Sequence, residues 1–82
     1  FVTSGTAPSS GTLSQNQSAT ISVTGMLNTS DWQVIALPVT GASSSAYYGY
    51  SFTVTKASGQ FTITNTSTIA NSYKYYVVKS GG

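Results

Sequence analysis

Between Tyr47 and Asn65 the chain alternates apolar and polar positions almost without interruption, as YYGYSFTVTKASGQFTITN. In an extended backbone Tyr48, Tyr50, Phe52 and Val54 point to one side, and Gly49, Ser51, Thr53 and Thr55 to the other. Lys56-Ala57-Ser58-Gly59 breaks the run with a short turn in which Gly59 can take positive φ. Phe61 and Ile63 then resume the apolar side. The pattern predicts a β-hairpin with one buried face.

The same period of two recurs elsewhere. Ser18–Thr24 sets Ala19, Ile21 and Val23 against Thr20, Ser22 and Thr24, a half-buried strand. Asp31–Val39 differs, because Trp32, Val34 and Ala36 lie on one side while Ile35 and Leu37 lie on the other. That strand is expected either at the centre of a sheet or against another subunit, with Pro38 marking its end. Ser72–Lys79 is the last strand, apolar on both sides near its end. Met26 and Leu27 are expected to plug one end of the core, and Ile69 to anchor the loop Thr66–Asn71. Thr40–Ala46 reads as a surface loop. Residues 1–17 carry few apolar side chains and read as an extended N-terminal arm or linker, with a short strand at Gly11–Ser14. No stretch has helical spacing. The expected fold is all-β: a small antiparallel β-sandwich of about six strands, jelly-roll or Ig-like, over residues 18–82.

Composition narrows what such a domain does. Eighty-two residues leave room for one modest core, and small domains usually add disulfides, a metal or a partner subunit. There is no Cys and no His, and Asp31 is the only acid. Disulfide and metal staples are thus not expected, which leaves homo-oligomerisation. Lys56, Lys74 and Lys79 against Asp31 give a net charge of +2. Three scattered lysines fall short of the roughly six to ten phosphate contacts of a typical DNA binder, so nucleic acid is not expected as a partner. No apolar run reaches the roughly 18 residues of a membrane span, and membrane insertion is not expected either.

Catalytic chemistry has little to work with. General acid–base catalysis needs a His, paired carboxylates or a perturbed Lys, and Asp31 has no second acid to pair with. Ser is plentiful, but no His can serve as its base and no G-x-S-x-G elbow is present. Calcium wants several oxygen ligands with carboxylates among them. No enzyme activity, cofactor, catalytic residue or metal ligand is expected. Binding chemistry is richer, because Trp32 and six tyrosines form a large aromatic set for so short a chain. Most of these positions suit core packing. Trp32, Tyr47 and Tyr76 are the candidates for contact with a ligand or another subunit, since aromatic faces stack on sugar rings. Three N-x-S/T sequons occur, at Asn16, Asn28 and Asn65.

The order of segments ATISVTG, DWQVIALPV, YYGYSFTV, GQFTITN and YKYYVV resembles the small β-sandwich modules of bacteriophage fibres and capsid-decoration proteins. The likeness covers about three-quarters of the chain and is a pattern of strands and turns. It implies a virion structural role, assembly as a homo-oligomer with a trimer favoured, and a place on the virion surface or in another extracellular structure. Partners would be further copies of the chain, other virion or filament proteins, and a host-surface glycan. Two other readings stay open: a carbohydrate-binding module using exposed Tyr and Trp, and the subunit of a prokaryotic extracellular filament.

Overall fold

A computed structural model of the chain describes residues 2–39 and 51–79. Six strands follow in order: β1 (Thr3–Ala7), β2 (Ser18–Ser22), β3 (Trp32–Pro38), β4 (Phe52–Ala57), β5 (Gln60–Asn65) and β6 (Tyr73–Lys79). A single 3-10 turn, Thr29–Asp31, leads into β3. The strands form two antiparallel three-stranded sheets, ordered β1–β6–β3 and β2–β5–β4. The fold is therefore all-β and sandwich-like, with the inner faces of the two sheets sharing one core.

The β4–β5 hairpin forms where the alternation is cleanest. Ala57 pairs with Gln60 across Ser58-Gly59, and Gly59 adopts φ 72°, the left-handed value that favours glycine. Phe61 and Ile63 point inward from β5 and are fully buried, as are Trp32 of β3 and Tyr73 and Val77 of β6. The ring of Phe61 meets Trp32 edge-on at 6.3 Å and Tyr75 at 5.1 Å, so one β5 side chain joins two strands of the opposite sheet. Each sheet thus presents its apolar side to the other. Half-buried Val34, Ala36, Phe52 and Val54 complete the packing.

Several expectations change here. Within residues 1–17, read from sequence as an arm or linker, Thr3–Ala7 is an edge strand whose register with β6 runs from Thr3↔Val77 to Ala7↔Tyr73. Its inward residues are small because Tyr75 fills the space beneath it: a Cβ on Gly5 would lie 2.6 Å from the Tyr75 phenolic oxygen. Small residues carry little hydrophobic signal, which hides the strand from a pattern search. The short strand expected at Gly11–Ser14 reduces to one bridge, Leu13↔Asn71, with Leu13 buried. Met26 is buried as expected, but Leu27 and Ile69 are exposed. Asn65, Ser67 and Asn71 are buried at the end where Ile69 was expected. The β3 strand is not central, because β6 lies between it and β1. Tyr47, Tyr48, Tyr50 and the whole loop expected at Thr40–Ala46 lie outside the described residues.

Candidate functional site

The two outer faces of the sandwich differ in chemistry, and the difference follows from the strand pattern. On β2–β5–β4 the outward positions line up in rows: Ser18, Thr64 and Thr53; Thr20, Thr62 and Thr55; Ser22, Gln60 and Ala57. Hydroxyls of neighbouring strands bond within these rows, Ser18 Oγ to Thr64 Oγ1 at 2.6 Å and Thr20 Oγ1 to Thr62 Oγ1 at 3.0 Å. Cross-strand hydroxyl pairs of this kind support the sheet and keep the face wet.

The outer face of β1–β6–β3 is mixed instead: Lys74 of β6 lies between Thr6 and Leu37, and Ser4 and Gln33 are also outward, but exposed apolar side chains cluster along β3. Ile35 and Leu37 of β3 are 51% and 52% exposed, and Val78 of β6 is exposed beside them. Ile35 pairs with Tyr76 and Tyr76 with Ser4, while Gln33 pairs with Val78. Val39 and Val2, exposed at the two ends, extend the patch along β3 and β1. Clustering on one face matters more than exposure of any one residue, because scattered surface apolar residues are ordinary and contiguous patches mark contact sites.

Of the three aromatic candidates, only Tyr76 sits on this face, half-buried between Ser4 and Ile35. Tyr47 lies outside the described residues. Trp32 is fully buried against Phe61 and offers no face to a ligand. Its inward direction follows from its place on the Val34/Ala36 side of β3, which the sequence pattern had already placed together. The structure thus does not bring the trio into one site.

The edges of the sandwich are also unlike. On the β3/β4 side Lys56 points inward, against the usual preference of Lys for water. Its Nζ donates to the carbonyls of Thr29 (2.7 Å) and Trp32 (2.6 Å) and lies 5.4 Å from the Trp32 ring centroid. Asn28 orders the same corner, its Oδ1 accepting from Ser30 N–H and Oγ. On the β1/β2 side the sheets are parted by a seam. One cleft of about 440 Å³ is lined by Thr6, Pro8, Ala19, Ile21 and Tyr75 among others. A second, of about 280 Å³, lies farther along between Val2, Thr3 and Ser22–Thr24. Sequence reasoning missed this seam, since no local pattern says which two strand edges will face each other.

At one end Asn65 is buried and makes four side-chain hydrogen bonds. Nδ2 donates to the carbonyls of Leu13 (2.8 Å) and Ile69 (2.9 Å), and Oδ1 accepts from Ser67 N–H and Oγ. The sequon at Asn65 is thereby closed to a glycan in the folded chain, whereas Asn16 and Asn28 are exposed. Two buried polar atoms have no partner among the described residues, Trp32 Nε1 and the Tyr73 hydroxyl. Burial pushes the Tyr73 phenol above its usual range. Among the described residues no three His, Cys, Asp or Glu side chains gather into a group that could hold a metal ion. No protein-family model matches the chain, and comparison with curated proteins and with solved structures finds no match either.

Proposed function

We propose that this chain is a non-enzymatic structural module of a virion appendage, such as a fibre, head-fibre or capsid-decoration domain, that assembles as a homo-oligomer. The apolar side chains exposed on the outer face of β1–β6–β3, Ile35, Leu37 and Val78 foremost, carry the proposal. A β3 strand that is apolar on both sides and stands at a sheet edge has no second layer of its own chain to cover it among the described residues. Three strands about 4.8 Å apart and about seven residues long span roughly 14 × 24 Å. That flat area, roughly 340 Å², is less than the roughly 800 Å² per partner of a standard interface, so the contact must take in surface beyond the three strands. Each further copy covers such a face, and the hydroxyl face of β2–β5–β4 keeps the assembly soluble. The arrangement suits a particle surface or another extracellular structure, with host-surface contact as a further role and a trimer as the assembly the resemblance implies.

The strand arrangement supports an Ig-like reading of the sandwich over a jelly roll. In an Ig domain strands B, E and D share a sheet and C, F and G share the other. Here β2–β5–β4 stand in the B–E–D order, and β3–β6–β1 in the C–F–G order. The last position is filled from the N-terminal side of the chain. The carbohydrate-binding alternative is weaker, because Trp32 is in the core and, of the three candidates, Tyr76 alone stands on a surface among the described residues.

Sedimentation velocity on the wild type and on an Ile35→Lys/Leu37→Lys variant tests the proposal. The expected result is a stable wild-type homo-oligomer at micromolar concentration and a folded, monomeric variant. A wild type that stays monomeric refutes it.

A further inference from the structure

The four edge strands are not equally protected, and the exception is β2. Natural sheets blunt their edges with charges, inward-pointing lysines, prolines or distortions, because an open row of N–H and C=O groups pairs with any available strand. Here β4 carries the inward Lys56, β3 ends on Pro38, and β1 holds Gly5 and runs into Pro8. The β2 sequence, SATIS, contains no charge, no proline and no glycine. Its outer side meets no strand among the described residues.

Hydrogen-bond phase fixes which groups are on offer. Asn65 N–H donates to the Gln17 carbonyl at 3.0 Å, and Val23 N–H donates to the Gly59 carbonyl at 2.8 Å. Antiparallel ladders alternate, so Ala19 and Ile21 also turn their backbone groups toward β5. Ser18, Thr20 and Ser22 therefore turn theirs outward, away from the sheet. Just inside this edge lies the seam, and Ala19 and Ile21 are only half-buried because none of the described residues closes it.

We infer that β2 pairs with β2 of a second copy of this chain, antiparallel and about a two-fold axis. Full overlap of the two strands places the axis at Thr20, opposite Thr20 of the second copy, with each Ser18 opposite the other copy's Ser22. Each of these pairs exchanges two backbone hydrogen bonds. The result is a six-stranded sheet, β4–β5–β2–β2–β5–β4, with a continuous hydroxyl outer face. The absence of charge on β2 lets two copies approach without repulsion. The side chains of Ala19 and Ile21 from both copies meet over the seam and take part of their apolar surface from water. The contact rests on the reading of the chain as a self-assembling module, yet it uses an edge distinct from the apolar patch on β1–β6–β3.

The chain has no cysteine, so a single Thr20→Cys substitution is an unambiguous reporter. Across the axis the two Cα atoms would lie about 5.5 Å apart, inside the roughly 4.4–6.8 Å range of disulfides. The control is Thr55→Cys, exposed in the same row of the same face but on β4. Under oxidised glutathione the Thr20→Cys chain is expected to become a covalent dimer at least tenfold faster than the Thr55→Cys chain. Thr20→Pro removes an outward N–H that β5 does not use, and is expected to lose the two-fold contact by sedimentation while still unfolding cooperatively. If Thr20→Pro fails to fold, the comparison of the two cysteine variants decides. Equal crosslinking rates in an oligomeric protein overturn the β2 contact and leave the apolar-face assembly standing. A monomeric wild type overturns both.

Discussion

Replacing Asn65 by alanine would remove the four side-chain hydrogen bonds that tie the end of β5 to Leu13 and to the Ser67–Ile69 turn. The cost can be worked bond by bond. The Leu13 carbonyl keeps the amide of Asn71 as a partner at 3.0 Å, and the Ile69 carbonyl keeps Ser67 Oγ at 2.9 Å. The buried Ser67 amide keeps no partner among the described residues once Oδ1 is gone. Three bonds lost at about 1 kcal/mol each, plus an orphaned buried donor at about 1–3 kcal/mol, give a destabilisation of about 4–6 kcal/mol. A domain of this length has roughly 4–12 kcal/mol in total, so Asn65→Ala would leave a marginal fold. The melting temperature should fall by roughly 20 °C or more. Urea unfolding followed by Trp32 fluorescence measures this directly, because Trp32 is fully buried in the native chain. Asn28→Ala is the companion measurement: an exposed Asx turn is lost, at about 1 kcal/mol or less. If Asn65→Ala came within about 1 kcal/mol of wild type, the network would not be what holds this end of the sandwich, and the hydrogen-bond reasoning would fail.

Lys56→Met keeps the aliphatic stem but removes the ammonium from the Thr29 and Trp32 carbonyls. A loss of about 1–2 kcal/mol is expected after allowing for partial exposure, read as a lower urea midpoint at unchanged slope. Tyr73→Phe deletes a buried hydroxyl with no partner among the described residues, so stability should stay level or rise by up to about 1 kcal/mol. The same variant carries a pH test. A phenol raised by burial ionises first in the unfolded chain, near the usual tyrosine value of 10. Its contribution is therefore intact below that pH and is lost as pH rises through and above it. Stability measured from pH 8 to 11 should fall less steeply in Tyr73→Phe than in wild type; parallel curves would refute the assignment.

Legibility in the sequence tracked how local the cause was. The β5 strand is Gln60–Asn65 in both readings, because alternation and the Gly59 turn are set by neighbours a few residues apart. The β2 strand is two residues shorter than Ser18–Thr24, and β3 and β6 each lie within a residue of their expected limits. The β1 strand was hidden, since a run of Thr, Ser, Gly and Ala has no apolar stripe and becomes a strand by pairing with β6. Ile69 was misplaced for the converse reason. Its hydrophobicity suggested burial, but the loop satisfied its buried backbone through Asn65 and Ser67, leaving Ile69 outside.

The candidate surfaces divide in the same way. That β3 is apolar on both sides, and that its outer residues could meet another subunit, is written in DWQVIALPV. Whether the strand stood at a centre or an edge depended on which partner β6 chose. Trp32 shows the limit from the other side, because its side of β3 was known and the inward direction of that side was not.

By itself the sequence determined an all-β chain, the faces of its strands and the poverty of its catalytic groups, because these follow from side-chain identity and a period of two. Only the tertiary structure decided that β6 is central, that the apolar face of β3 is left outward, and that β2 is an open edge beside a seam. Those outcomes depend on contacts between residues far apart in sequence, and no local pattern encodes which edges remain unpaired.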